Sequence, residues 1–276
     1  MNPRDPITSD EEPIIQTVAE PLQQYLKEAS QQEPASQPAR TDGPRPYRPS
    51  NRQPLAMLTV LDDGSREAGE TIRIRDSRFM IGREKGDLSI PFDGDLSGHH
   101  AELRCQKQKG RFRWFLIDRK SRNGSFVRAV RASLSRESEL IIGGRRYLFQ
   151  LPEPGKEVAE TAALQTQAYR APSRTMLEQF VPQLIEVGRS DESARTFSIG
   201  GEMYVGGDPR CQITIEDDPF INPKHARLYQ DETERWMIED QKSLNGVWIR
   251  VKKFAMDKRT EFQLGQQRFS FCPNVG

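Results

Sequence analysis

The sequence predicts an all-β protein with two antiparallel β-sandwich domains in tandem. One observation behind this prediction is a pattern of short segments in which apolar and polar residues alternate, which is typical of strands bounded by turns. The other is a loop signature that occurs twice in the same order, which indicates a repeated domain. The first copy has Gly82–Arg83, Ser97–His100 and Asn123–Gly124, and a weaker second copy has Gly206, His225 and Asn245–Gly246.

The two copies keep nearly constant spacing. Equivalent landmarks, including Gly143 and Gly265, lie about 122 to 125 residues apart. Such small differences are expected when strands are fixed and only short loops vary in length. A chain of 276 residues with 35% hydrophobic residues is also long enough to bury two cores. We therefore expect one domain over residues 54–152 and a second over residues 182–276.

The strands follow from the alternation. In the first domain it predicts strands at Met57–Leu61, Thr71–Arg75 and Arg111–Arg119. In the second domain it predicts strands at Gln212–Ile215, Arg235–Glu239, Val247–Val251 and Arg268–Cys272. Strands with one apolar and one polar face are typical of antiparallel sandwiches.

Two segments lack this alternation. Residues 1–53 hold nine of the 19 prolines and many Gln, Ser and Glu residues. This composition favours a disordered tail, because burial cannot repay the entropy lost on ordering. Residues 153–181 are rich in Ala, Gln, Glu and Thr, and we expect a flexible linker there.

The composition also disfavours several classes of protein. No apolar run approaches the length of a membrane span or a signal-peptide core, so we expect a cytoplasmic protein with no membrane partner. Cys105, Cys211 and Cys272 lack the spacing of a disulfide framework or a metal site. We find no Walker loop, no nucleophile with a matched base and no paired carboxylates. The sequence therefore predicts neither an enzyme nor a bound cofactor or metal.

Positive charge is concentrated in the first domain. The net charge of the chain is +1, yet residues 55–152 carry 19 Lys and Arg against 13 Asp and Glu. Residues 182–276 carry 13 against 15. An anionic ligand is therefore expected at the first domain.

Three sequence blocks in the first domain resemble the forkhead-associated (FHA) domain, a β-sandwich that binds phosphothreonine peptides. These blocks are Phe79–Arg83, Leu96–Ala101 and Asp118–Ser125, in this order. The resemblance implies an FHA-like sandwich in each half of the chain. It also implies a non-enzymatic adaptor whose partner is a phosphothreonine-containing protein, either a serine/threonine kinase or one of its substrates.

Three residues are the candidates for phosphopeptide binding. Arg83 offers a guanidinium fork suited to a dianionic phosphate, although it could be one of many solvated arginines. Ser97 stands where the family has its phosphate-binding serine, and the alternative is a turn serine that bonds its own backbone. Asn123 can pair with both the N–H and C=O of an extended peptide, or serve only an Asn-Gly turn.

The neighbouring residues are expected to support or modify this site. We expect Gly82, His100 and Gly124 to be structural, because the family histidine at this position is buried and bonds loop backbone. Gly98 and Arg122 depart from the usual family pattern. Gly98 can offer only backbone contacts, whereas Arg122 adds a cation at the rim that either favours acidic residues after the phosphothreonine or is a plain surface charge.

The second copy lacks the phosphate-binding pair. Gly207 stands at the arginine position and Asn222 at the serine position, whereas His225 and Asn245 are retained. A phosphate that faces neutral groups is poorly stabilised, and Arg210 could compensate only if its loop folded back. We therefore expect the second domain to keep the fold and to act as a phospho-independent interaction or structural module.

Two other functions remain open. A phosphothreonine at Thr8 in the tail, or at Thr161 or Thr166 in the linker, could occupy the first domain from within the same chain and regulate it. A nucleic-acid-binding protein could use the basic segment Arg111–Trp114, which interleaves charge with aromatic rings. The same segment also fits an ordinary half-buried strand, and nucleic acid is the less favoured partner.

Overall fold

The computed structural model describes residues 15–16, 55–152, 181–188 and 195–273. Every helix or strand assigned within these ranges is a β-strand, which confirms the predicted all-β class. No helix in this part of the chain is long and apolar enough to span a membrane. Most of the predicted tail and linker, with Thr8, Thr161 and Thr166, lies outside the described residues.

The strands are numbered in chain order. They are β1 (Ile15–Gln16), β2 (Ala56–Leu61), β3 (Gly69–Ile74), β4 (Arg78–Gly82), β5 (Leu88–Ser89), β6 (Ala101–Gln108), β7 (Arg111–Asp118), β8 (Ser125–Ala129), β9 (Arg131–Ser133), β10 (Glu137–Ile142), β11 (Arg145–Gln150), β12 (Gln183–Glu186), β13 (Thr196–Ser198), β14 (Met203–Gly206), β15 (Ile213–Thr214), β16 (Ala226–Gln230), β17 (Trp236–Asp240), β18 (Val247–Val251), β19 (Lys253–Ala255), β20 (Thr260–Leu264) and β21 (Gln267–Pro273).

These strands group into two compact units that do not follow the order of the sequence repeat. Among the described residues, the first unit comprises residues 55–129 and 248–273, and the second comprises residues 15–16, 130–152, 181–188 and 195–247. Each unit takes its signature loops from one repeat and its closing strands from the other. The predicted boundaries, 54–152 and 182–276, describe the repeat in the sequence, whereas the compact units exchange their last strands.

The first unit is built from two sheets. One sheet has the order β3–β2–β21–β20–β8–β18 and the other has the order β19–β7–β6–β4–β5. Both sheets contain exchanged strands: β21 pairs with β2 and β20 pairs with β8 inside the first sheet, and β19 pairs with β7 at the edge of the second, all antiparallel. Trp114 of β7 packs against Phe271 of β21, with ring centroids 5.6 Å apart. The strands from the second repeat therefore fill the core beneath the first signature copy.

The second unit mirrors this construction. Its sheets have the orders β13–β12–β11–β10 and β1–β9–β17–β16–β14–β15. Here the first repeat supplies the exchanged strands, because β11 pairs with β12 and β9 pairs with β17. Phe149 of β11 and Trp236 of β17 lie 6.0 Å apart between ring centroids, the counterpart of the Trp114–Phe271 contact.

Strand β1 is an exception within the tail that the sequence predicts to be disordered. Ile15 and Gln16 pair antiparallel with Ala132 and Arg131 of β9. An edge strand presents unpaired N–H and C=O groups that another segment of chain can satisfy. These two tail residues therefore extend a sheet of the second unit.

The turn between β6 and β7 determines where these two strands end. Lys109 and Gly110 link β6 to β7 and have φ values of 48° and 81°. Two successive positive φ values are typical of the tight hairpin turn whose twist matches the flanking strands. This turn fixes the register of the longest pair of strands in the first unit, with Cys105 opposite Trp114.

Candidate functional site

Three loops of the first unit converge around Ser97. The backbone N–H of Arg83, which directly follows β4, donates to the carbonyl oxygen of Ser97 at 2.9 Å. The backbone N–H of Arg122, in the loop between β7 and β8, donates to Ser97 Oγ at 3.0 Å. The predicted phosphate-binding arginine and serine and the predicted peptide-reading turn are thus brought together.

The buried side chain of His100 links two of these loops by hydrogen bonds. Its side chain is fully buried, Nδ1 accepts a hydrogen bond from the N–H of Ser97 at 3.1 Å, and Nε2 lies 3.0 Å from the carbonyl oxygen of Gly124. With a backbone donor at Nδ1 and an acceptor at Nε2, the proton belongs on Nε2. Desolvation by burial lowers the pKa of His100, so the ring is a neutral structural link.

Ser97 is oriented for donation to a ligand. Its Oγ accepts the hydrogen bond from Arg122 described above, and a hydroxyl has one hydrogen to donate as well. Among the described residues, that hydrogen has no acceptor. The half-buried hydroxyl can therefore donate to an oxygen that enters between the loops.

Asn123 is fixed by one side of its amide. Its Nδ2 donates to the carbonyl oxygen of Asp95 at 2.8 Å and lies 3.5 Å from Asp95 Oδ1, which leaves Oδ1 of Asn123 as an acceptor for other groups. An amide held in this way can read the backbone of an extended peptide without selecting a side chain.

Arg83 meets a carboxylate of its own chain. Its Nη2 donates to Glu84 Oε1 at 3.0 Å, and Glu84 Oε2 lies near Gly98, 3.3 Å from the position that a Cβ there would take. The side chain of Glu84 is 63% exposed, so it can turn away when a stronger anion arrives. Glu84 was not among the residues predicted from the sequence, although it directly follows the arginine.

The predicted supporting glycines are explained by crowding and backbone conformation. A Cβ on Gly82 would overlap the carbonyl oxygen of Gly98, and a Cβ on Gly124 would overlap the side chain of Arg250. Gly124 also has φ +82°, a conformation that L side chains rarely adopt.

The carbonyl of Gly98 accepts from the N–H groups of the loop after Arg83, whereas the side chain of Arg122 is exposed at the rim.

A serine–aspartate pair shapes the asparagine turn and was missed at the sequence level. Asp118 accepts hydrogen bonds from the N–H and hydroxyl of Ser121, and Ser121 Oγ accepts from the N–H of Gly124 at 3.0 Å. In the second unit, Ser243 donates to Asp240 and accepts from the N–H of Gly246. The shared Asp-x-x-Ser-x-Asn-Gly spacing was the signal for this network.

The second unit keeps the same loop scaffold. Asn222 N–H donates to His225 Nδ1 at 3.1 Å, and His225 Nε2 lies 3.0 Å from the carbonyl oxygen of Gly246. Asn222 Oδ1 accepts from the N–H of Leu244 at 3.0 Å, so it replaces Ser97 Oγ as the loop's acceptor. Asn245 Nδ2 donates to the carbonyl of Phe220 at 2.9 Å, as Asn123 does to Asp95.

The second scaffold has no arginine at the position of Arg83, and carboxylates lie beside it. Gly207 supplies no guanidinium, and Arg210, 91% exposed, pairs with Asp208 through Nε and Nη2 at 3.1 and 3.0 Å. A cleft of about 480 Å³ lies here, lined by Gly207, Asp208, Pro209, Arg210, Ile215, Glu216, Asp218, Ile221 and Pro223. The lining combines three carboxylates with apolar side chains, which is unsuited to a dianion.

Part of the positive charge of the first unit is used internally. Glu102 is fully buried and accepts from Arg104 Nε and Nη2 at 2.7 and 2.9 Å, and Arg78 lies 3.0 Å away. Although burial opposes it, the hydrogen bond and the charge of Arg104 hold the pKa of Glu102 below its usual value. Because two arginines, Arg78 and Arg104, surround one carboxylate, the sheet of β4 and β6 keeps a net positive charge here.

Two of the residues that suggest nucleic-acid binding, Arg113 and Trp114, have contacts within the first unit. Trp114 is 2% exposed and belongs to the core, so it offers no surface for a base. Arg113 forms a two-point ion pair with Asp257. Within the described ranges, no group of three or more His, Cys, Asp and Glu side chains could hold a metal ion.

Comparison with known proteins gives the same family in both repeats. The family model described as "FHA domain" matches residues 79–143 and 186–267, which is more than half of the chain. Among curated proteins, no sequence matches this chain.

Several solved structures are similar to parts of the chain. Full-length yeast Pml1p is 18% identical with a TM-score of 0.25, over 27% of this chain and 57% of Pml1p. The FHA-1 domain of Mycobacterium tuberculosis Rv1747 is 28% identical with a TM-score of 0.19, over 32% of this chain and 93% of that domain. A structure from a "structural and functional analysis of phosphothreonine-dependent FHA domain interactions" is 17% identical with a TM-score of 0.18, over 32% and 93% of the two chains.

Proposed function

Because this chain belongs to the FHA-domain family, we propose that its first unit binds phosphothreonine peptides. The observation that carries the proposal is the convergence of Arg83, Ser97 and Asn123 on loops joined by backbone and side-chain hydrogen bonds. The protein would act as a non-catalytic adaptor in serine/threonine kinase signalling in the cytoplasm. Its partner would be the kinase or a protein that the kinase has phosphorylated.

Each of the three side chains has a separate task in this proposal. Arg83 supplies the charge that a phosphate dianion needs, and the dianion displaces Glu84 because it carries more charge and three acceptor oxygens. Ser97 donates its hydroxyl hydrogen to a phosphate oxygen. Asn123 pairs with the peptide backbone beside the phosphothreonine and sets its register.

The second unit has a different proposed task. Its scaffold retains Asn245, but Gly207 and Asn222 replace the two phosphate-binding residues, and Asp208, Glu216 and Asp218 line the adjacent cleft. These carboxylates repel a phosphate. The unit is therefore proposed to be a phospho-independent interaction or structural module.

The proposal is tested with the full chain and a fluorescent pool of peptides that carry a central phosphothreonine and random flanks. We expect binding to the phosphorylated pool and none to the unphosphorylated pool. Arg83→Ala should weaken binding about 10- to 100-fold, since hydrogen bonds to a charged group contribute about 1.5 to 3 kcal/mol. Arg210→Ala, which removes an exposed arginine of the second unit, is the matched control and should leave the affinity unchanged.

Two results would contradict the proposal. One is binding that does not depend on the phosphate. The other is an Arg83→Ala protein that binds the phosphorylated pool as well as the wild type does. A library read-out of the bound peptides would also give the residue preference beside the phosphothreonine.

A further inference from the structure

A turn from the second repeat lies against the loops that carry Arg83, Ser97 and Asn123, which are called the first pocket below. Strands β20 and β21 are joined by Gly265 and Gln266, and the N–H of Gln266 donates to Asp93 Oδ2 at 2.7 Å. The side-chain Nε2 of Gln266 donates to Asp95 Oδ2 at 3.0 Å. Gln266 therefore contacts the pocket loop through both its backbone and its side chain.

This contact continues to the peptide-reading asparagine. The carbonyl oxygen of Asp95 accepts from Asn123 Nδ2 at 2.8 Å, and the N–H of Asp95 donates to Asp93 Oδ1 at 2.9 Å. Asp95 is thus held on one side by Gln266 and holds Asn123 on the other. A shift of Asp95 would move the amide that sets the register of the peptide.

Comparison with the second unit shows which part of this contact both units share and which part occurs in the first pocket. There the N–H of Gly144 donates to Asp218 Oδ2 at 2.8 Å, as the N–H of Gln266 does to Asp93. However, Gly144 has no side chain, and Phe220 stands where the first pocket has Asp95. The backbone contact is common to both units, whereas the bond between two side chains, Gln266 and Asp95, belongs to the unit that keeps Arg83 and Ser97.

We propose that Gln266 is a positioning residue of the first pocket, which fixes Asn123 through Asp95 and so contributes to the recognition of residues that flank the phosphothreonine. This inference rests on the proposed function. It makes the peptide-binding site of the first repeat depend on a residue near the end of the second repeat. The phosphate contacts of Arg83 and Ser97 do not depend on it.

The test measures two ligands on the full chain: the phosphothreonine peptide pool and free O-phospho-L-threonine. Gln266→Ala should weaken binding of the pool about 3- to 10-fold, which is the effect of one hydrogen bond. It should leave the affinity for free phosphothreonine unchanged, because Arg83 and Ser97 are untouched. Gln150→Ala, an exposed glutamine at the end of β11 in the second unit, is the matched control and should change neither affinity.

A double-mutant cycle distinguishes positioning from general destabilisation. If Gln266 acts through Asn123, then Gln266→Ala should have no further effect on pool affinity in an Asn123→Ala background. In the ligand-free protein, the side-chain amide NMR resonances of Asn123 should shift in Gln266→Ala and stay in place in Gln150→Ala.

If the wild-type protein binds the pool, three results would overturn this inference and leave the proposed function standing. They are equal pool affinity for wild type and Gln266→Ala, an equal loss of affinity for free phosphothreonine, and additive effects in the double-mutant cycle. Unshifted Asn123 amide resonances in Gln266→Ala would also overturn it. A wild-type protein that binds neither ligand would overturn the proposed function and this inference together.

Discussion

At the scale of single residues, the two repeats differ in chemistry while sharing geometry. Ser97 Oγ and Asn222 Oδ1 both accept an N–H from the facing turn at 3.0 Å, and both histidines bridge the same pair of loops. The loop scaffold therefore does not require the residues that are proposed to bind phosphate. What sets the first pocket apart is the guanidinium of Arg83 and a hydroxyl with a hydrogen still to donate.

Ser97→Ala is expected to lower phosphopeptide affinity about 10-fold, because it removes both a phosphate donor and the acceptor for the N–H of Arg122. Ser97→Thr retains the hydroxyl and should recover most of the affinity. Titration of the phosphothreonine pool by fluorescence anisotropy measures both. Equal affinities of Ser97→Ala and wild type would contradict the role of the hydroxyl.

His100 predicts a pH dependence of stability. Its folded-state pKa is lowered by burial, so the unfolded chain takes up a proton more readily, near pH 6.5. The stability from the neutral ring is present above that pH and is lost as the pH falls toward the lowered folded value. An NMR titration of the His100 ring, with urea unfolding between pH 5 and 7.5, checks this, and a ring that titrates above pH 6.5 would contradict it.

At the scale of elements, each unit is closed by strands of the other repeat. The contacts are equivalent, since Phe271 packs on Trp114 and Phe149 packs on Trp236. Asp93 faces the turn at Gly265, and Asp218 faces the turn at Gly143. The backbone contacts of the two turns are alike and do not determine which repeat supplies the hairpin, whereas the side-chain bond between Gln266 and Asp95 occurs in the first unit.

Phe271→Ala is therefore expected to destabilise the unit that contains Arg83, although Phe271 lies in the second repeat. Truncation of a buried phenylalanine costs about 3 to 5 kcal/mol. Hydrogen exchange should become faster in β6 and β7 but not in β16 and β17, and Phe149→Ala should give the opposite pattern. Faster exchange of β16 and β17 in Phe271→Ala would show that the strands follow the sequence order.

Alternation predicted seven strands close to their observed positions, but not the assignment of strands to units. Alternation shows which face of a strand is buried, and it predicted Arg111–Arg119 within one residue of β7 (Arg111–Asp118). Alternation does not identify the partner strand of a hairpin. Gln266 was missed for the same reason, because its contact with Asp95 exists only once the partner strands are known.

At the scale of the whole molecule, neither repeat contains a complete unit of its own. A chain that ends at Val247 should lose phosphopeptide binding, although it keeps every predicted site residue of the first domain. It should retain the described segments of the second unit, which end at that residue. Anisotropy titration and hydrogen exchange measure the two outcomes, and undiminished binding by the shortened chain would contradict the exchanged arrangement.

The exchange also has a consequence for the order of events during translation. The ribosome produces β2–β8 first and then residues 130–247 before it reaches the closing strands. At about 5 to 20 residues per second, that interval lasts roughly 6 to 24 s. During this time the hairpin β10–β11 emerges first and can compete for pairing with β2 and β8. Nascent chains can pair these strands with β10–β11 and rearrange later. Otherwise β2–β8 must stay unpaired at this edge until β19–β21 emerge.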